Sequence, residues 1–131
     1  MLSLFFASSV AAVQVTDGDT LRIDGEKIRI ANIDAPEIRE AKCDAERRLG
    51  IVAKARLEAL LNSGDIEVLR GDPQDGRMKD RHGRTLATIT VDGRDIGEIL
   101  IAEKVARPWT TVVRPDALTL SGARTGRGNG T

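Results

Sequence analysis

The stretch Arg29-Ile-Ala-Asn-Ile-Asp34-Ala-Pro-Glu37 determines where the chain has to turn. An apolar run that carries one arginine ends in two carboxylates, Asp34 and Glu37, on either side of Pro36. Proline cannot donate a hydrogen bond to a strand ladder, and it biases the residue before it toward an extended conformation. The stretch therefore predicts a strand that ends in a constrained turn, which holds Asp34, the Ala35 carbonyl and Glu37 in a fixed arrangement.

The composition is typical of a small globular domain without a strong net charge. Of the 131 residues, 40% are hydrophobic and 31% are charged, but only 2% are aromatic, so the core must rest on Ile, Leu, Val and Ala. The 20 basic and 20 acidic residues cancel. A polyanionic partner would therefore be held by a few placed arginines rather than by a general positive field.

A single cysteine, Cys43, and a single histidine, His82, limit the metal chemistry that the chain can support. The cysteine cannot form an internal disulfide, and the two residues together cannot anchor the usual zinc site of nitrogen and sulfur ligands. A metal bound by this chain would be a hard cation with oxygen ligands, such as calcium or magnesium.

Alternation of apolar and polar residues predicts five short strands. The first two flank an acidic turn at residues 17–20, and Asp24-Gly25 then gives a strong signal for a two-residue hairpin. A second signal of this kind, Asp92-Gly93, follows the last strand. The strands are expected within residues 13–23, which hold two of them, and at residues 26–33, 65–69 and 85–91.

Two helices are predicted, a long one over residues 43–62 and a short one over residues 96–104. Apolar residues of the long helix recur at three- and four-residue spacing and form one stripe, which consists of Leu49, Val52, Ala53, Leu57, Leu60 and Leu61. Five strands, a long helix after the third and a short C-terminal helix predict one α+β domain over residues 13–109. The expected architecture is a small closed β-barrel of the OB-fold type.

Asp19 has the same parity as Leu21 and Ile23, so an uninterrupted strand would direct its carboxylate inward with the apolar side chains. A buried carboxylate requires a partner, and either a metal ion or an arginine would serve. The alternative is a plain turn or bulge at residues 17–19, which would reset the parity.

Carboxylates and arginines recur at the ends of the predicted strands. The acidic turn precedes the central stretch, and the basic turn Asp80-Arg81-His82-Gly83-Arg84 follows it. Carboxylate oxygens suit a hard cation, whereas arginine binds phosphate through two parallel donors and stays charged at any working pH. The pattern therefore indicates a site for a cation and an anion together, with metal-assisted chemistry on a phosphate as the interpretation.

Three motifs, Asp17-Gly-Asp19-Thr, Arg29-x4-Asp34-x-Pro-Glu37 and Asp80-x-x-Gly-Arg84, resemble the signature of the staphylococcal nuclease-like (thermonuclease) family in order and spacing. Each motif is weak alone, but three in order with a helix between the second and third are specific. The resemblance covers about Val13 to Trp109. It implies an OB-fold barrel that acts as a monomeric, calcium-dependent endonuclease on DNA or RNA.

The resemblance also implies roles for individual residues. Asp19, Asp34 and the Ala35 carbonyl would be the calcium ligands. Glu37 would be the general base or would orient the attacking water. The arginines Arg29 and Arg84 would hold the scissile phosphate and its developing charge.

Substrate contacts are expected from Arg81, His82 and Trp109. Family members often place a tyrosine in the corresponding regions, and this chain has none. His82 is a candidate for a terminal phosphate, with a plain turn residue as the alternative. Trp109 is a candidate for stacking on a base, with a core position as the alternative.

Two other classes of protein compete with the nuclease. The first is an OB-fold module that binds single-stranded nucleic acid without catalysis, which the neutral net charge and few aromatic residues disfavour. The second is a structural protein in which Arg29, Asp34, Glu37 and Arg84 form only a salt-bridge network.

The chain ends carry separate expectations. Residues 1–12, MLSLFFASSVAA, contain an apolar run and a small-residue cleavage pattern but no positive n-region, so we expect a signal-peptide remnant or a disordered leader. The apolar run is too short to span a membrane. We expect a secreted or periplasmic protein, and a disordered tail over residues 110–131.

Overall fold

The described part of the chain, residues 12–109 of this computed structural model, has strands at the five predicted places and both helices in the predicted order. The strand predicted over residues 26–33 is wrong in extent, because the structure divides it at residues 31–32 into two strands of different sheets. The expected leader, apart from Ala12, and the expected tail lie outside the described residues. No helix in residues 12–109 is long and apolar enough to cross a membrane. The elements are β1 (Val13–Asp17), β2 (Thr20–Ile23), β3 (Glu26–Ile30), β4 (Ile33–Asp34), α1 (Asp44–Leu61), β5 (Ile66–Arg70), β6 (Thr85–Val91), β7 (Arg94–Asp95), α2 (Ile96–Ala102) and β8 (Arg107–Pro108).

The main sheet is mixed, and its strand order is β1-β2-β3-β6-β5. Neighbouring strands are antiparallel except for β3 and β6, which pair in parallel, and the two-residue strands β4 and β8 form a separate antiparallel pair. The α+β class is thus confirmed. Within residues 12–109 the strand pairs form an open path that ends at β1 and β5, so closure into an OB-fold barrel stays a prediction.

Both predicted hairpins form, and their backbone geometry explains the sequence signal. Asp24 and Gly25 have φ of 50° and 86°, and Asp92 and Gly93 have φ of 50° and 81°. Positive φ at both central residues is the type I′ geometry, which matches the twist of the flanking strands and favours Asp-Gly. The first hairpin places β3, with Arg29, in the middle of the sheet.

The core lies between the sheet and the helices and is aliphatic, as the composition predicts. Its largest fully buried side chains are Leu21, Ile28, Ile30, Ile33, Leu57, Ile89, Ile96 and Leu100. Helix α1 begins after Cys43 as its N-cap and ends before Asn62 as its C-cap, in agreement with the predicted range.

The apolar stripe predicted for α1 is wrong in its first half. Leu49 and Val52 are 42% and 48% exposed, whereas Ala53 and Leu57 are fully buried. The first half of the helix instead makes its contact through Gly50, because a Cβ there would lie only 2.8 Å from the Glu37 carbonyl oxygen. A glycine that looks like a weak point in the helix is therefore what lets it approach the turn of the central stretch.

An ion pair between Glu26 and Arg70 joins β3 to β5 across the intervening β6. The Arg70 Nε donates to Glu26 Oε2 at 3.0 Å, and hydrogen bonds from Arg70 and then Thr85 lower the pKa of Glu26 from 4.5 to about 2. A lowered carboxyl pKa in the folded state gives stability above the unfolded pKa, which is lost as the pH falls toward 2.

We therefore expect Glu26→Gln to lower the free energy of unfolding slightly at pH 7, by less than about 1 kcal/mol because the pair is exposed. At pH 2 to 3 the difference from the wild type should shrink. Urea unfolding at the two pH values measures it. An equal loss at both would show that packing, not charge, is what the side chain contributes.

Candidate active site

Asp19 is buried at the turn between β1 and β2, and it reaches the turn of the central stretch. Its carboxylate is the acceptor for the Ala35 backbone N–H at 2.9 Å on Oδ2 and for the Thr20 hydroxyl at 3.0 Å on Oδ1. The ladder shifts register between Val15 and Asp17, as the alternative of a turn or bulge predicts. The strand is interrupted, and the carboxylate still faces inward with partners.

Gly18 allows this turn to pack against the rest of the site. A Cβ at this position would lie 2.7 Å from the Ala53 Cβ on α1 and 2.8 Å from the Ala35 Cβ. Any larger residue would push the turn away from the helix and from the central stretch. The glycine of the first motif therefore sets the position of Asp19.

Arg29 lies between the two carboxylates that the sequence assigns to a cation. Its Nη2 is 3.6 Å from Asp19 Oδ2 and 3.9 Å from Asp34 Oδ1, and only 13% of the side chain is exposed. Its Nη1 donates to the carbonyl oxygens of Ile30 and Ile33, which fixes the direction of the guanidinium. The end of β3 and strand β4 thus aim one arginine at the acidic turn.

Asp34 is held from a second side by Arg107. The two residues are direct cross-strand partners in the β4–β8 pair, and Arg107 Nη2 lies 3.2 Å from Asp34 Oδ2. The Arg107 side chain is mostly exposed, whereas that of Asp34 is about one-third exposed. This contact could not be predicted from the sequence, because a two-residue strand has no periodic pattern.

Glu37 is exposed and stands among other carboxylates. Partial desolvation, followed by the charges of Asp19, Asp17 and Asp34, raises its pKa above the usual value. Among residues 12–109 no basic side chain forms an ion pair with Glu37, and its backbone N–H donates to Glu46 at 3.2 Å. The carboxylate is therefore open to solvent, and no basic side chain of the described residues neutralises it.

Asp17 belongs to the same acidic cluster. Burial and then the charge of Asp19 raise its pKa, against the opposing charges of Lys54, Arg39 and Arg84. Carboxylates whose charges raise the pKa of a neighbouring carboxyl, as those around Asp17 and Glu37 do, mark a place where an added cation would relieve repulsion.

Arg84 joins the third motif to the first. Its Nε and backbone N–H both donate to the Asp80 carboxylate, at 2.7 and 2.9 Å, and its Nη1 lies 3.4 Å from the Thr20 hydroxyl oxygen. Burial would raise the pKa of Asp80, but the hydrogen bonds from Arg84 and then from the His82 backbone lower it. Asp80 thus orients Arg84 toward the acidic turn and remains charged.

The two arginines open into a cleft of about 460 Å³, which we call the arginine cleft. The Arg29 Cζ lies 5.5 Å from the centroid of the Trp109 ring, and the indole is 38% exposed, so Trp109 is not a core residue. All the residues expected to contact a substrate are brought together here. The cleft is lined by Arg29, Ala31, Asp72, Arg77, Asp80, Arg81, His82, Arg84, Leu86 and Trp109.

The donor set at the acidic turn fits a hard cation in chemistry. Asp19, Asp34 and the Ala35 carbonyl offer only oxygen atoms, which is what calcium prefers. Residues 12–109 contain no group of three or more His, Cys, Asp or Glu side chains that could hold a metal ion. Two carboxylates with a carbonyl and solvent would have to complete the coordination.

The fold and this site together define a small α+β domain in which carboxylates and arginines from three separate segments lie side by side. The chain belongs to the staphylococcal nuclease homologue family, which it matches over residues 27–119. The matched region starts after the first motif and extends beyond Trp109.

Curated relatives agree with this assignment. The chain is 31% identical to endonuclease YncB of Bacillus subtilis over 103 residues, which are 76% of this chain and 47% of that protein. It is also 31% identical to the prophage-derived endonuclease YokF of Bacillus subtilis over 72% of this chain and 32% of that protein. A third relative, the succinoglycan biosynthesis protein ExoI of Rhizobium meliloti, is 31% identical over 70% of this chain and 48% of that protein. This chain thus spans half or less of the length of these relatives.

If Asp19 is a calcium ligand, Asp19→Asn should weaken calcium binding at least about tenfold, because the change removes a charge and keeps the size and the acceptor for Ala35 N–H. Titration calorimetry with calcium measures the affinity. Asp24→Asn is the matched control, since Asp24 lies in the distant hairpin, where Asn also tolerates positive φ. An unchanged titration for Asp19→Asn would remove Asp19 from the ligand set.

Proposed function

We propose that this chain is a calcium-dependent endonuclease that hydrolyses phosphodiester bonds in single-stranded or unpaired DNA or RNA. One observation supports this most strongly. Arg29 lies within 4 Å of two carboxylates, while Glu37 beside them has no basic partner in residues 12–109 and a raised pKa. A salt-bridge network would pair Glu37 and lower its pKa, so the arrangement favours catalysis over a structural role.

Asp19, Asp34 and the Ala35 carbonyl would hold the calcium ion. When bound there, a hard dication would neutralise part of the phosphate charge and make water more acidic. Side chains of the protein would remove the proton and bind the phosphate.

Glu37 is the proposed general base. Its carboxylate is exposed to solvent and stands next to the acidic turn, so a water molecule can reach it. We assign to it the removal of the proton from the attacking water, as a general base does. A raised pKa makes the carboxylate a stronger base toward that proton.

Arg29 and Arg84 are the proposed phosphate-binding residues. Both are largely buried and oriented by acceptors on the protein, namely the Ile33 carbonyl for Arg29 and the Asp80 carboxylate for Arg84. Preoriented donors stabilise charge that develops in the transition state, at about 3–4 kcal/mol for one donor. Two guanidinium groups in one cleft can bind separate oxygens of a pentavalent phosphorus.

A binding module without catalysis is the second candidate, and the exposed Trp109 beside Arg29 favours it. An exposed indole in a basic cleft offers a stacking surface for a base. The same contact would also serve a nuclease, so activity must separate the two candidates.

Cleavage of closed circular single-stranded DNA tests the proposal, in calcium and in chelator, with an RNA circle alongside. The endonuclease converts circles to linear strands only with calcium. Binding without conversion in calcium would favour the binding module. The absence of both binding and conversion would overturn both candidates.

We further propose that the chain is exported and acts as a monomer. Detection of the full-length gene product in the extracellular or periplasmic fraction tests the first part, and sedimentation tests the second.

A further inference from the structure

A second cleft adjoins the site on the side away from Trp109. It has a volume of about 540 Å³, and we call it the lysine cleft. Glu37 and Asp34 lie at one end of it. Its other polar and apolar walls include Lys42, Glu46, Leu49, Lys104 and Arg107.

The two clefts meet at the proposed catalytic centre. Arg29 of the arginine cleft lies 3.9 Å from Asp34 of the lysine cleft, and β8 carries Arg107 into one cleft while Trp109 beyond it lines the other. A phosphate at this junction would have open space on both sides. A polymer bound there would therefore extend into both clefts, whereas a single nucleotide would fill only one.

The lysine cleft offers cationic groups that no ion pair of the described residues engages. Glu46 is held by the backbone, since it accepts hydrogen bonds from the N–H groups of Glu37 and Lys42. Within residues 12–109 neither Lys42 nor Lys104 forms an ion pair, and both are exposed. Leu49, which is 42% exposed, adds an apolar surface of the kind that a sugar or base covers.

Lys104 has a backbone conformation that disfavours lysine. It follows α2 with φ of 66°, its N–H donates to the Ile101 carbonyl, and the Val105 N–H donates to the Leu100 carbonyl. This is the Schellman arrangement, in which the left-handed position is usually glycine. A lysine there costs stability, which is a reason to look for a function of its side chain.

We propose that the lysine cleft binds the strand on the far side of the scissile phosphate, with Lys42 and Lys104 as contacts for the next backbone phosphates. This inference rests on the proposed nuclease function and assigns a substrate class to it, a continuous polynucleotide rather than a short end. The lysines are specificity-determining residues and take no part in the chemistry.

The test compares Lys42→Ala, Lys104→Gly and the control Lys27→Ala, an exposed lysine on β3 outside both clefts. On a single strand of about 20 nucleotides, each cleft variant should raise KM about tenfold at unchanged kcat. On a dinucleotide, which has no phosphate beyond the scissile one, KM should not change. The slope of log Kd against log salt should become shallower by about 0.7 for each lysine removed.

Lys104→Gly separates function from structure, because it should raise the midpoint of thermal unfolding while it weakens binding of the long strand. If both cleft variants have the same KM as Lys27→Ala on the long strand, the inference is wrong. Cleavage by the wild type would in that case still support the nuclease proposal. If the wild type cleaves nothing, the nuclease proposal fails. Fluorescence anisotropy with the same strand then tests the lysine cleft separately. Equal affinity of the wild type and both cleft variants for the strand would overturn the inference.

Discussion

Glu37→Gln should lower the rate of phosphodiester cleavage by about 10²- to 10⁴-fold, the contribution of a positioned general base. The amide keeps the size of the side chain but cannot accept the proton of the attacking water. Substrate affinity should stay close to that of the wild type, because the arginines that hold the phosphate are unchanged.

The same substitution should not destabilise the fold. Neighbouring carboxylates and partial desolvation raise the pKa of Glu37, so its charge opposes folding at neutral pH and is less unfavourable only below its folded pKa. The variant should therefore unfold at the same temperature as the wild type or a higher one. Glu40→Gln, an exposed carboxylate of the same segment, is the control. Comparable activity of the Glu37 and Glu40 variants would show that Glu37 is not the base.

Arg84→Lys should lower kcat/KM by about 10²- to 10³-fold, the effect of losing one oriented donor in the transition state. Lysine keeps the charge but cannot bind Asp80 and a phosphate oxygen at the same time through a planar fork. The Arg84 Nε is 2.7 Å from Asp80 Oδ2. We therefore expect the lysine ammonium of the variant to shift away from the acidic turn.

Arg94→Lys provides the matched control for this change. Arg94 is exposed on β7, outside the arginine cleft, so the substitution should leave kcat/KM within about twofold of the wild type. Thermal unfolding of both variants separates a lost contact from a lost fold. Equal kinetic effects of the two substitutions would remove Arg84 from the phosphate site.

Local signals predicted most of the secondary structure and which residues of the three motifs would be neighbours. The Asp-Gly hairpins require positive φ at two successive residues, which few other dipeptides tolerate, so they could be placed from sequence. The structure places Arg29 3.6 Å from Asp19 and Arg84 beside Thr20, so residues of the three motifs are neighbours, whereas their roles stay a prediction.

Contacts that leave no local pattern could not be predicted from the sequence. Arg107 reaches Asp34 through a strand of two residues, and Gly50 approaches the Glu37 carbonyl because it lacks a side chain. The spacing of Leu49 fits a buried stripe, yet this residue lines the lysine cleft. Helical spacing shows which side chains share a face, but it does not show how far along the helix that face is covered.

The most direct measurement of the central claim is the initial rate of single-strand cleavage, compared at equal substrate occupancy in three samples. These are the wild type with calcium, the wild type with chelator, and Glu37→Gln with calcium. If the acidic turn, Glu37 and the arginines form one hydrolytic centre, only the first sample cleaves at an appreciable rate. Cleavage at the same rate in chelator, or by the variant, would contradict that account.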